Sequence, residues 1–209
     1  GFVLLETLGL WSSIRLMVAV YLLTAVLFHL RTATGGASPR LAYVPLGIML
    51  LALTVLDPGR YPVVNIQPLD RNEALLEIWE GSGGTVAVIK RNDKLRVKLN
   101  NWYSLGGVGA RNMEEMQSHL PLQLHPEPKS VFYLGLGSGI TAGTAMQYPV
   151  EEVVVAELVG DVIAASRKYF EPYTNGLFDD DRVRIVHEDG RNYLRASDES
   201  FDLIIADLF

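Results

Sequence analysis

Two long apolar runs dominate the first 60 residues of the chain. Residues 16–30 and 41–56 carry no formal charge, and a short connection rich in Gly and Ser joins them. Each run is shorter than the about 20 residues of an average membrane-spanning helix, which leaves two buried helices of a soluble protein as the alternative. Two successive runs with aromatic residues near their ends favour a membrane hairpin over a cleaved signal peptide.

Polar and apolar residues alternate strictly in the middle of the chain. Between residues 94 and 100, Leu95, Val97 and Leu99 fall on one face and basic residues fall on the other. Together with the run 85–91 (TVAVIKR) and the intervening Asn92-Asp93, this pattern predicts a β-hairpin that has one solvated face. Apolar residues at helical spacing then predict a helix over 111–124.

Strand-like and helix-like segments alternate through the remainder of the chain. The predicted strands are 131–135, 152–157, 183–187 and 202–207, and the predicted helices are 140–148, 160–170 and 190–196. Such alternation implies right-handed crossovers and a parallel sheet. We therefore expect three parts: a transmembrane helical segment that is the tail of a membrane domain (1–60), a linker with a β-hairpin unit and a helix (61–124), and an incomplete Rossmann-like domain (125–209).

Charged residues are distributed unevenly. Residues 61–209 contain 14 of the 18 basic and 22 of the 24 acidic residues, which gives this part a net charge of −8. An acidic domain disfavours nucleic acid and suits a cationic substrate. The chain has no Cys, which excludes disulfides, thiolate metal sites and Cys nucleophiles. No pair of its His residues has convincing metal-ligand spacing, so we expect no metal.

The segment Val131-Phe-Tyr-Leu-Gly-Leu-Gly-Ser-Gly-Ile140 joins an apolar strand to a helix through three alternate glycines, Gly135, Gly137 and Gly139. Such a turn lets a ligand lie against bare backbone. The segment therefore predicts a nucleoside-like cofactor. Residues 137–142 also fit the looser dinucleotide fingerprint that ends in Ala, which keeps a nicotinamide cofactor as an alternative.

Acidic residues follow three of the predicted strands. Glu157 ends the second strand, 18 residues after Gly139, while Asp189-Gly190 follows the third strand and Asp207 ends the fourth. Ligands of open parallel sheets bind at these strand ends. There, Glu157 can bind ribose hydroxyls, Asp189 can accept a hydrogen bond from an adenine amino group, and Asp207 can face a reacting group. With the alternate glycines, these acids favour a cofactor of the S-adenosylmethionine type.

Several segments of residues 73–209 occur in an order and spacing known from one enzyme family. They are Glu80-Gly81, the predicted hairpin 85–100, Glu115-Met116, and the stretches 120–125, 134–140, 155–157, 161–163, 188–190 and 201–207. In these segments the chain resembles the spermidine synthase family of aminopropyltransferases. It is most similar to the membrane-attached bacterial members, which have helices ahead of the catalytic domain.

The resemblance implies a class I methyltransferase-like Rossmann fold preceded by a small β unit and membrane helices. It implies aminopropyl transfer from decarboxylated S-adenosylmethionine to a polyamine such as putrescine. Asp207 would assist deprotonation of the attacking amine, and Ser104 and Glu115 would occupy substrate-binding positions. The cofactor-binding residues that it implies are Gly135, Gly137, Ser138, Gly139, Glu157, Asp189 and Gly190.

The family also tends to form dimers through its N-terminal β unit, so the resemblance implies a homodimer. We expect the protein to be a multi-pass protein of the inner membrane. The catalytic domain would lie in the cytoplasm, because the inferred cofactor is made there.

Some positions depart from the family pattern. Ser138 stands where the family has an Asp in the glycine loop, Ser104 where it has a Gln, and Met113 where it has a Tyr. The residues implied to bind adenosine thus match the family pattern more fully than those implied to bind the amine. Two alternatives stay open: a methyltransferase that uses S-adenosylmethionine, and a module of a transporter-like membrane domain that binds a nucleoside or polyamine without turnover.

Overall fold

The computed structural model describes residues 2–32, 47, 49, 72–100 and 102–206. The chain forms two compact units, Gly1–Val64 and Asn65–Phe209. The second apolar run, apart from positions 47 and 49, and the predicted linker at 61–70 lie outside the described residues. The division of the chain into a membrane segment, a β unit and a cofactor domain therefore stays a prediction.

Among the described residues of the N-terminal unit, Phe2–Thr32 form a long helix, α1, which is kinked at Gly9. The Ser13 hydroxyl lies 2.7 Å from the carbonyl oxygens of both Leu4 and Gly9 and so links the turn before the kink to the kink residue itself. Within α1, Thr7–Phe28 has a mean hydropathy of 1.8 and is long and apolar enough to cross a membrane. Membrane attachment stays a prediction.

The second unit begins with a four-stranded antiparallel sheet in the order β1-β2-β3-β4. Its strands are β1 (Glu73–Gly81), β2 (Gly84–Arg91), β3 (Lys94–Leu99) and β4 (Tyr103–Gly107). The predicted hairpin corresponds to β2 and β3, and positive φ angles of 47° at Asn92 and 65° at Asp93 form its tight turn. The sequence analysis predicted neither β1, which carries several acidic residues, nor β4, which ends in two glycines.

The expected solvated face of the hairpin is only partly solvated. Lys94 is exposed, but Arg96 and Lys98 are half-buried. The reason is that β3 lies inside the sheet: it pairs with β2 on one side and with β4 on the other, where Lys98 is opposite Ser104.

Helix α2 (Arg111–Leu124) follows this sheet and leads into the second sheet, in which all the strand pairs are parallel and the order is β7-β6-β5-β8. The strands are β5 (Ser130–Leu134), β6 (Glu152–Glu157), β7 (Val183–His187) and β8 (Leu203–Ala206), and the connecting helices are α3 (Ile140–Gly143), α4 (Gly160–Phe170) and α5 (Gly190–Ala196). The predicted mixed α/β architecture with a parallel sheet is therefore confirmed. The helix predicted over 140–148 differs in detail. Its first turn, α3, is α-helical, and the chain then continues as a 3₁₀ helix over Thr144–Gln147.

Both faces of the central strands β5 and β6 are covered. On one face Val131, Tyr133 and Val153 belong to the main apolar cluster, and on the other Phe132 and Val154 pack against aromatic residues of α5 and the loop after it. This two-sided burial explains the continuous apolar runs of β5 and β6.

The starts of β5 and β8 are joined by the Asp202 carboxylate. Its Oδ2 accepts the backbone N–H groups of Lys129 and Ser130, both at 2.9 Å. The Asp202 N–H in turn donates to the Ser130 carbonyl at 2.9 Å. These backbone hydrogen bonds lower the pKa of Asp202, and they fix the register in which Val131 lies beside Leu203.

Replacing Gly143 by Ala should destabilise the second unit by about 1–3 kcal/mol. A Cβ at Gly143 would lie 2.3 Å from the carbonyl oxygen of Thr174, and that contact is with backbone, which cannot rotate away. The matched control is Gly109→Ala, whose new methyl group would meet nothing closer than the Lys94 Cδ at 3.6 Å. Chemical unfolding of the three proteins measures the difference, and equal midpoints for Gly143→Ala and wild type would contradict the close packing of α3.

Candidate functional site

A cavity of about 710 Å³ opens at the carboxyl ends of β5 and β6. Its walls come from both sheets of the second unit and from α2, which follows β4. This is the edge at which open parallel sheets bind their ligands. The residues that line it through charged side chains are Lys94, Arg96, Glu114, Glu157, Asp189 and Arg191.

The glycine loop, residues 135–139, forms part of the wall of this cavity. Gly135 and Gly137 line it, and both have positive φ angles, 101° and 55°. The loop is tied down from behind, because Gly135 N–H donates to the Ala156 carbonyl at 2.9 Å and the Ser166 hydroxyl donates to the Gly137 carbonyl at 2.7 Å. The exposed backbone is thus held in one conformation before any ligand binds.

Glu157 connects the glycine loop to the loop after β6. One carboxylate oxygen accepts the Leu136 N–H at 3.0 Å and the other accepts the Val159 N–H at 2.9 Å. The residue is only 7% exposed, yet it lines the cavity. A carboxylate has about four lone-pair sites, so two remain for hydroxyl donors of a ligand.

Asp189 caps the N-terminus of α5 while it lines the cavity. Its Oδ1 accepts the N–H groups of Arg191 and Asn192 at 2.9 and 3.2 Å. Hydrogen bonds from the Arg191 side chain and from these N–H groups lower the pKa of Asp189, so the group is ionised at neutral pH. Oδ1 thus caps the helix. Oδ2 lies 3.4 Å from the Arg191 guanidinium and can accept a further hydrogen bond from a ligand.

Glu114 is a cavity residue that the sequence analysis missed. Its Oε1 accepts the Gly107 N–H at 2.7 Å, and its Oε2 accepts a short hydrogen bond from the Ser138 hydroxyl. The carboxyl is 8% exposed. Burial raises its pKa, and the hydrogen bonds from Ser138 and Gly107 oppose that rise. The sequence feature that could have indicated it is the acidic residue at 114, on a predicted helix that follows the glycine pair Gly106-Gly107.

The predicted site residues fall into two groups. The residues that line the cavity are Ser104, Gly135, Gly137, Glu157, Asp189 and Gly190. Ser138 and Gly139 do not line it: Ser138 is 2% exposed and bonds Glu114, while Gly139 is the left-handed residue before α3. Glu115 also points elsewhere and pairs with Arg111 at 2.6 Å. Asp207 lies outside the described residues, and its role stays a prediction.

Two cations of β3, Lys94 and Arg96, also line the cavity. Neither forms an ion pair within the part of the chain that the structure describes. His187 accepts the Gly160 N–H through Nε2 at 3.1 Å, which gives this histidine a structural contact beside the site. Within the same described residues, no cluster of three or more His, Cys, Asp or Glu is arranged to hold a metal ion.

The parallel sheet, its glycine loop and the cavity at the strand ends define an α/β protein with a Rossmann-type crevice. Residues 111–209 match the family model described as the spermine/spermidine synthase domain. This match confirms the resemblance to the spermidine synthase family noted in the sequence. The membrane-attached type within that family stays a prediction.

Curated relatives and solved structures agree with this assignment. The polyamine aminopropyltransferases of Streptococcus uberis and Thermotoga petrophila are 38% and 43% identical over 94 residues, which are 44% of this chain and 33% and 31% of those proteins. A crystal structure of spermidine synthase in complex with the transition-state analogue AdoDATO is 30% identical, with a TM-score of 0.59, over 65% of this chain and 46% of that one. Spermidine synthase from Thermotoga maritima is also 30% identical, with a TM-score of 0.59, over 64% and 47%. The chain spans about a third of the length of the curated relatives that it matches.

Proposed function

We propose that the protein transfers an aminopropyl group from decarboxylated S-adenosylmethionine to a polyamine acceptor such as putrescine. The observation that carries this proposal is the cavity in which the glycine loop, Glu157 and Asp189 meet. Relatives named polyamine aminopropyltransferase and spermidine synthase support it. In this role Glu157 binds the ribose and Asp189 the adenine, while the glycine loop accommodates the rest of the nucleoside.

The reaction is a direct displacement at the methylene carbon next to the sulfonium. The acceptor nitrogen forms a bond to this carbon, the carbon–sulfur bond breaks, and its electron pair returns to sulfur to give neutral methylthioadenosine. An alkylamine has a pKa near that of Lys, about 10, and is mostly protonated at neutral pH. A carboxylate must therefore accept a proton for the amine to attack, and we assign this step to Asp207. The remaining acceleration comes from holding the two reactants in line.

A comparison of two cofactors tests the proposal. Decarboxylated S-adenosylmethionine should bind at least about 10-fold more tightly than S-adenosylmethionine in titration calorimetry, because the decarboxylated form brings no anion near the acids of the cavity. Incubation with decarboxylated cofactor and putrescine should release methylthioadenosine and spermidine. Preference for the carboxylated cofactor, or binding without release of methylthioadenosine, would contradict the proposal.

The two cations that β3 contributes to the cavity favour a second candidate. Lys94 and Arg96 offer partners for the carboxylate of ordinary S-adenosylmethionine, which a methyltransferase would use. In that case the same calorimetry shows the reverse preference, and methylated product replaces methylthioadenosine as the readout. We rank this candidate second because the matched relatives are named as aminopropyltransferases.

We also propose the setting in which the reaction takes place. Residues 1–60 would anchor the protein in the inner membrane, and α1 supports this through its apolar stretch Thr7–Phe28. Residues 61–124 would form the β unit through which two copies associate, and 125–209 would belong to the cytoplasmic cofactor domain. Release of the protein from membranes by detergent but not by high salt would support the anchor.

A further inference from the structure

The Glu114 carboxyl has no cationic partner among the described residues, although it is buried and lines the cavity. Its two hydrogen bonds come from neutral donors, the Gly107 N–H and the Ser138 hydroxyl. Lys94 and Arg96 line the same cavity, but neither is among the ion pairs of the described residues. A buried carboxylate that lacks a counter-ion is costly, and a cation supplied by a ligand relieves that cost.

The surrounding backbone is shaped to hold this carboxyl. A Cβ at Gly106 would lie 2.9 Å from Glu114 Oε1, so a side chain there would push the carboxyl away. On the other side, the Ser138 hydroxyl accepts the Ile140 N–H at 3.2 Å, which leaves its hydrogen directed at Glu114. The carboxyl is thus clamped between β4 and the glycine loop.

The position of Ser138 indicates which ligand cation meets Glu114. Ser138 lies between Gly137 and Gly139 in the loop against which the nucleoside lies, so Glu114 reaches that loop from α2. The part of the donor that carries a free cation beyond the adenosine and the sulfonium is the ammonium at the end of its aminopropyl chain. We propose that Glu114 binds this ammonium group and thereby selects the aminopropyl donor, a role that rests on the proposed function.

Glu114→Gln tests the proposal, since the amide oxygen can still accept the Gly107 N–H while the negative charge is lost. Titration calorimetry would compare decarboxylated S-adenosylmethionine with dimethylthioadenosine sulfonium, which keeps the adenosine and the sulfonium but has no amine. The affinity for the first should fall about 10- to 100-fold, the loss expected for a charge-assisted hydrogen bond. The affinity for the second should change less than about twofold.

The matched control is Glu151→Gln, the same chemical change at an exposed residue whose partner is Lys129. It should bind both nucleosides as wild type does. Thermal unfolding checks the fold of Glu114→Gln, which should melt no lower than wild type because an amide has no charge to bury.

Equal losses for both nucleosides, or a change only in the KM of the acceptor, would overturn the assignment of Glu114 to the donor ammonium. Unchanged affinities in Glu114→Gln alongside tight wild-type binding would overturn it as well, while leaving the proposed function intact. Wild-type protein that fails to bind the decarboxylated cofactor would instead overturn the proposed function and this assignment together.

Discussion

Asp207→Asn should lower the rate of aminopropyl transfer by about 100- to 10,000-fold, the range typical for loss of a general base. The asparagine side chain has nearly the same shape but cannot accept the proton that the acceptor ammonium must lose before its nitrogen attacks. The residue directly follows β8, whose last residue, Ala206, pairs with Leu134 at the end of β5. Initial rates of methylthioadenosine release with saturating cofactor and putrescine measure the effect.

Binding measurements separate this loss from damage to the site. The variant should bind decarboxylated S-adenosylmethionine within about threefold of wild type, because the proposed adenosine contacts are made by other residues. Asp198→Asn, in the exposed loop after α5, is the control for the same substitution and should retain the wild-type rate. Full transfer activity in Asp207→Asn would exclude Asp207 as the base, and a protein that binds but never turns over would favour the binding-module alternative.

Glu157→Ala should weaken binding of the adenosyl cofactor by about 100-fold or more, since hydrogen bonds to a charged group are worth about 1.5–3 kcal/mol each. The substitution removes the proposed ribose acceptor and also the acceptors of the Leu136 and Val159 N–H groups. The glycine loop would keep the hydrogen bond from Gly135 to Ala156 but lose its second tie to β6, so both the ribose contact and the shape of the cavity would change. Calorimetry with methylthioadenosine, which contains the ribose, isolates this contribution from that of the aminopropyl chain.

A control on the same strand tests whether position matters. The control is Glu152→Ala. In the wild-type protein Glu152 lies at the opposite end of β6, where its carboxylate is 3.4 Å from Arg184 on the surface. The affinity of this variant for methylthioadenosine should equal that of wild type. If Glu157→Ala bound methylthioadenosine normally, Glu157 would be a structural tie of the glycine loop and not a ribose ligand.

The parallel sheet was predicted well because its central strands β5 and β6 are buried on both faces and read as continuous apolar runs. The segments 152–157, 160–170, 183–187 and 190–196 coincide with β6, α4, β7 and α5. In the antiparallel sheet only β2 and β3 were predicted. Strand β1 has no strong pattern of its own and is defined by its pairing with β2 from Glu73 to Gly81. Tertiary pairing of this kind is not visible in local sequence.

The residues of the candidate site could be predicted from the sequence when they lie at the ends of parallel strands. Glu157 and Asp189 could be placed because the ends of parallel strands share one edge of the sheet. Glu114 could not, because it reaches the cavity from a helix that precedes the sheet, and its partner Ser138 differs from the family pattern. The neighbouring Glu115 looked equivalent in sequence, yet the helical rotation of about 100° per residue turns it toward Arg111.

The hydrogen bonds of Asp202 make the last described strand sensitive to length as well as to composition. They fix β8 at its start, so the chain has only the four residues Leu203–Ala206 in which to reach the cavity edge. Inserting or deleting one residue there would shift everything downstream by about 3.3 Å and reverse which side chains face each side of the sheet. Natural variants should therefore vary the side chains of this strand while keeping its number of residues constant.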